Sequence, residues 1–204
     1  DVVPGPSARP SVAIAVIRPE DGLPPGAPVS AKPGAVRVQV PRDLRKAGPE
    51  VFPPQAKVGA SYLGPMLAKR RARAQGFDEV LLLDREGFVA EAPTANVFIA
   101  KGDVLMTPPV ERTLAGITRD SVFALARAEH LEVREAPLAP EELDEADEAF
   151  LTATSLPVLA IASFGDRALR APVPGPLTAR IRDLVLACEL GQDRRFPNWT
   201  VEVS

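Results

Sequence analysis

The chain has 204 residues, 46% hydrophobic and 25% charged, enough for one large domain, or one domain plus a fragment of another. A net charge of −3 and an isoelectric point near 5.4 argue against nucleic acid or an anionic membrane as the main partner. No apolar run reaches membrane-spanning length, no signal peptide is expected, and Cys188 stands alone; no disulfide or cysteine metal site can form within the chain, and a cytoplasmic setting is expected.

Asp1 is not Met, and the opening reads as an interior piece of a longer chain. After a Pro/Gly-rich start, Ser11 to Ile17 (SVAIAVI) reads as a strand, and Arg18 to Gly34 as a crossing between domains. Ala35 to Val40 alternates as a strand does. Pro41 to Pro54 is irregular, because proline forbids both a helix interior and a central strand. Leu63 to Gln75 is helical and stops at Gly76. Glu79 to Leu83 reads as a buried strand, Asp84 to Gly87 as a turn, and Phe88 to Glu91 as a returning strand. Asn96 to Ala100 and Val104 to Met106 form a hairpin about Gly102. A helix opens at Gly116 to Asp120, with Thr118 as its expected cap, and runs to about Glu129. Leu131 to Ala136 is a strand, Pro140 to Ala146 a short acidic helix, and Ala149 to Ala153 a strand. Val158 to Leu169 is a hairpin about Gly165, and Leu177 to Leu190 a helix capped by Gly191. Frequent hairpins interrupted by helices imply a mixed α/β domain with a large, partly antiparallel sheet, curled towards a barrel.

Four features break their local pattern. Lys57 lies among small uncharged residues ahead of Tyr62; an amine shielded there loses its proton more easily and can attack an aldehyde. Lys32, Lys46, Lys69 and Lys101, by contrast, read as solvated side chains. Glu91 ends an apolar strand, either as edge protection or as the partner of a protonated ring nitrogen. Leu114 to Thr118 bring glycine and threonine to a helix start, either a plain cap or an anion site. Thr152-Ala153-Thr154-Ser155 places hydroxyls where a strand turns, either a local turn motif or an anion site. Cys188 reads as a small buried hydrophobe, and His130 follows a helix without a general-base setting. An imine-forming amine, a carboxylate for a ring nitrogen and two phosphate-type ends together describe pyridoxal 5'-phosphate.

The order and wording of these motifs resemble the class IV (fold-type IV) pyridoxal-phosphate aminotransferases, most of all the branched-chain amino acid aminotransferases. The resemblance rests on Lys57 to Tyr62, Gly76 to Asp84, Glu91 through Asn96 to Phe98, Thr107-Pro108-Pro109, Gly116 to Asp120, and Ala146 to Phe150 with Thr154. It implies that Lys57 forms the internal Schiff base and moves the proton between the substrate α-carbon and cofactor C4'. It further implies that Tyr62 bonds the phenolic oxygen, Glu91 pairs with the pyridinium nitrogen, and Ile117, Thr118 and Thr154 hold the phosphate. The turn at Thr154-Ser155 would also present amides to the substrate carboxylate. The chain departs from the family where Gly59-Ala60-Ser61-Tyr62 replaces the usual Gly-Gly-Asn-Tyr, and where Ala115 replaces proline.

The expected fold is thus the large cofactor-binding domain of a fold-type IV enzyme, residues 31–204. Residues 1–30 would be the tail of a smaller N-terminal domain and a linker, with the rest of that domain outside the sequence. The expected reaction is ping-pong amino transfer between a branched-chain L-amino acid and 2-oxoglutarate, in a homodimer or higher homo-oligomer. Aminodeoxychorismate lyase and D-amino acid aminotransferase share the fold and stand as alternatives, as does a non-catalytic domain of the same fold.

Overall fold

In the computed structural model the described residues are 34–200; the strand expected at Ser11 to Ile17 and the tail expected over residues 1–30 lie outside them. The strands are β1 (Ala35–Gln39), β2 (Glu79–Val80), β3 (Asn96–Lys101), β4 (Val104–Thr107), β5 (Glu132–Glu135), β6 (Glu148–Ala153), β7 (Leu156–Phe164) and β8 (Arg167–Ala168). The helices are α1 (Leu63–Ala74), α2 (Ile117–Ala128) and α3 (Pro176–Glu189). The strands make one mixed sheet in the order β2-β1-β7-β6-β3-β4-β5, with β8 paired to β7. Pairing is parallel for β1 with β2 and β7 and for β4 with β5, and antiparallel for β3 with β4 and β6 and for β6 with β7.

Alternation along the central strands feeds two cores, because successive side chains point to opposite faces. Phe98 and Ala100 of β3 meet Val122, Leu125 and Ala126 of α2 and Ile181, Val185 and Cys188 of α3. Phe98 and Phe150, opposite each other on β3 and β6, stack at 5.1 Å. Val97 and Ile99 face the other way, into a core with Val36, Val38, Leu81, Leu83, Leu151 and Ile161. Leu138, just ahead of a 3-10 turn at Pro140–Glu145, and Leu143 within it complete that core.

Three expectations shift. The Glu79 to Leu83 strand shortens to two ladder residues because the segment changes partner: Leu81 N–H donates to Gln39 O (2.8 Å), whereas Leu82 N–H donates to Glu91 O (2.9 Å). For the same reason Phe88 to Glu91 returns as an extended segment bonded to Leu82 and Asp84 rather than as a continuous ladder. Thr118 does not cap α2; Gly116 takes that place in extended backbone, and Thr118 sits in the first turn. Elsewhere the helix of α1 stops where Gly76 adopts φ +84°, a conformation that L side chains rarely adopt. Cys188 is buried in the α3 core, as its apolar surroundings suggest, and burial pushes its thiol pKa up. His130 adopts φ 57° directly after α2, a chain-reversing position.

Candidate functional site

Asn96 opens β3 directly opposite Thr152 near the end of β6. Beside this pair begins α2, and the loop bearing Lys46 and Lys57 and the start of α1 line the same space. The space between is a cleft of about 640 Å³, lined among others by Lys46, Lys57, Tyr62, Glu91, Asn96, Ile117, Thr118, Thr152 and Thr154. Segments far apart in sequence thus meet at one end of the sheet.

On one wall the Lys57 ammonium donates to the Tyr62 hydroxyl oxygen at 2.9 Å. The helical turn at Gly59–Tyr62 makes this contact, because it folds Tyr62 back over the preceding loop. Lys57 is exposed, as are Val58, Gly59 and Ala60. The shielding expected for this amine is therefore not supplied by its neighbours, since small side chains cover little of a lysine.

Glu91 lines the same cleft. Its backbone is fixed by the bond from Leu82, and its carboxylate is held at both oxygens. Oε1 meets Lys46 Nζ at 2.6 Å. Oε2 accepts from Leu114 N–H at 2.9 Å and from the Asn96 side-chain amide at 3.2 Å. The edge-protection reading fails on this geometry: Glu91 is mostly buried and faces the cleft, not a sheet edge. Asn96 also donates to Leu114 O at 2.9 Å, so one buried amide ties Glu91 to the loop before α2.

At the third corner, α2 begins with no side chain capping its first N–H groups, with Ile117 and Thr118 in its first turn. Free amides at a helix start favour an anion. Gly116 is required here: a Cβ would lie 2.1 Å from Asn96 Oδ1. Thr152, opposite Asn96, is 1% exposed, and its Oγ1 has no hydrogen-bond partner among the described residues. Buried hydroxyls are normally bonded, so an unfilled one beside uncapped amides fits an oxygen-rich anionic group. An amine with a phenol, a carboxylate and an anion cradle lining one cleft together fit a phosphorylated aromatic ring carrying an aldehyde.

Of the residues singled out from sequence, Lys57, Tyr62, Glu91, Ile117, Thr118 and Thr154 all line the cleft, while Ser155 lies in the adjoining turn and does not. Sequence reading missed Lys46, assigned there to solvent but 16% exposed and paired here. Lys69 likewise proves to be paired, with the buried Glu79. Asn96, within the motif from Glu91 to Phe98, carries a role no local pattern shows, and Thr152, one of the hydroxyls read as a turn or an anion site, lines the cleft. Among the described residues, no cluster of His, Cys, Asp and Glu is suited to a metal ion, and no helix is long and apolar enough to cross a membrane.

Residues 21–164 match the family model described as amino-transferase class IV. The branched-chain-amino-acid aminotransferase of Escherichia coli K12 is 34% identical over 160 residues, covering 78% of this chain and 52% of that protein. Two solved branched-chain aminotransferases are similar in structure. That of Thermobaculum terrenum, in its PLP-bound holo-form, has a TM-score of 0.78 at 35% identity, covering 81% of this chain and 54% of the other. That of Thermoproteus uzoniensis, with norvaline, has a TM-score of 0.77 at 35% identity, covering 81% and 55%. The chain spans about half the length of these relatives. With this match across most of its length, the chain belongs to the class IV aminotransferases.

Proposed function

We propose that the protein transfers an amino group between a branched-chain L-amino acid and 2-oxoglutarate with pyridoxal 5'-phosphate as cofactor. The observation that carries this reading is the Lys57–Tyr62 contact at 2.9 Å in the same cleft as Glu91. When bound, the cofactor withdraws electrons from the substrate α-carbon through its protonated ring. Lys57 would hold it through its amine and, released when the substrate's own amine takes its place, would carry the proton between the substrate α-carbon and the cofactor's C4'. Tyr62 holds the amine in reach and bonds the phenolic oxygen. Glu91, as a carboxylate, keeps a proton on the ring nitrogen, because a negative charge alongside favours the charged form. The amides of Ile117 and Thr118 and the hydroxyl of Thr154 hold the phosphate, and the turn at Thr154-Ser155 offers amides to a substrate carboxylate. In a ping-pong sequence the donor leaves as its 2-oxo acid before the acceptor enters, so both use one site in turn.

The names of the similar relatives and the norvaline held by one of them support the branched-chain preference. Residues 31–204 would form the cofactor-binding domain and 1–30 the tail of a smaller one with its linker, in a cytoplasmic homodimer or larger homo-oligomer. The test is to supply the longest natural form of the protein and pyridoxal phosphate with L-leucine, D-alanine or aminodeoxychorismate. Release of the 2-oxo acid of leucine, lost in Lys57→Ala, is the expected result. Turnover of D-alanine, or pyruvate release from aminodeoxychorismate, would instead select the other chemistry of this fold.

A further inference from the structure

Glu91 is held by three partners, of which Lys46 alone carries charge. Leu114 N–H and the Asn96 amide both act on Oε2, whereas the Lys46 ammonium takes Oε1 at 2.6 Å. Both side chains are largely withdrawn from water, at 16% exposure for Lys46 and 12% for Glu91. A carboxylate so placed without a cation is left as an uncompensated charge and swings towards solvent. The pair is also preorganised. Lys46 N–H donates to Leu83 O at 2.7 Å, and Leu82 N–H donates to Glu91 O at 2.9 Å. The two side chains therefore start from backbone anchored on adjacent residues, Leu83 for Lys46 and Leu82 for Glu91. Lys46 Nζ further donates to Arg112 O at 3.3 Å, which fixes its end as well as its root. Surface ion pairs contribute little because water competes, but this one lines the cleft.

We infer that Lys46 is a positioning residue: its ammonium holds the Glu91 carboxylate turned into the cleft, so that Glu91 can accept a hydrogen bond from a protonated ring nitrogen. This rests on the proposed cofactor chemistry and assigns to Lys46 no contact with substrate. It separates the two amines of the cleft by task. Lys57 is free to react with an aldehyde, while Lys46 is tied to a carboxylate and a carbonyl.

The experiment measures dissociation constants of the full chain for pyridoxal 5'-phosphate and for its deaza analogue, in which C–H replaces the ring nitrogen. Lys46→Gln should weaken pyridoxal phosphate roughly tenfold, the scale of one hydrogen bond to a charged group, with the deaza analogue little changed. Lys46→Arg should recover most of the loss, since it restores charge and donors. In a Glu91→Gln background, Lys46→Gln should have no further effect. Equal weakening of both ligands, or of neither, overturns the inference while leaving the cofactor chemistry in place. If the unaltered chain binds neither compound and forms no covalent adduct at Lys57, the proposed function fails, and this inference with it.

Discussion

Gly116 and Asn96 show how closely the site is fitted at the level of single atoms. An added Cβ at Gly116 would meet Asn96 Oδ1 at 2.1 Å, so Gly116→Ala must displace the amide that holds both Glu91 and the Leu114 carbonyl. The expected cost is about 1–3 kcal/mol of stability, in the range for breaking buried polar contacts. Cofactor affinity should fall as well, because Glu91 loses a partner. In an Asn96→Ala background the same glycine change should cost much less, since the obstructing atom is gone; denaturant melts of the four forms check this. Equal losses in both backgrounds would show that Gly116 is needed for its own backbone rather than for Asn96. This scale also marks what sequence could reveal. Lys57, Glu91 and Thr118 stand in motifs with contiguous wording, so their pattern breaks are visible. Lys46 sits between Arg45 and Ala47 in an irregular loop, and its pairing depends on a bond to Leu83 that no local pattern encodes.

Among elements, long periodic segments were legible and shared segments were not. Helices α1, α2 and α3 lie within two residues of their expected limits because each has a glycine stop or start. The strands around Leu82 were drawn too long, since that segment divides its hydrogen bonds between β1 and the return to Glu91. The start of α3 is held by Glu148, whose buried carboxylate accepts from Leu177 N–H at 3.1 Å and Thr178 N–H at 2.7 Å. The ends of α2 and α3 are joined by charge: Arg195, just past α3, bonds Glu129 at 2.7 Å and Asp193 at 2.7 Å. The Arg195 guanidinium holds the Asp193 carboxyl at a pKa of about 2, below its ordinary value. A depressed carboxylate contributes stability that is present above its unfolded pKa, near 3.9, and lost as pH falls through its folded value. Asp193→Asn should therefore lower the melting temperature at pH 7, with the difference from the unaltered chain shrinking between about pH 4 and pH 2. Melts across that window check this; a constant difference down to pH 2 would remove Asp193 from the acid response.

For the whole molecule, the fold class followed from counting hairpins against helices, but strand order did not. The sheet pairs β1 with both β2 and β7, and β3 with β6, pairings across long stretches of chain that periodicity alone cannot rank. That order brings Lys57, Glu91, Thr152 and the start of α2 to one end of the sheet, and the proposed chemistry depends on their meeting there. The most direct test is borohydride reduction of the longest natural form of the protein with pyridoxal phosphate, followed by peptide mass mapping. The account predicts one pyridoxyl group, on Lys57, and none on Lys46. A group spread over exposed lysines, or none at all, would contradict it.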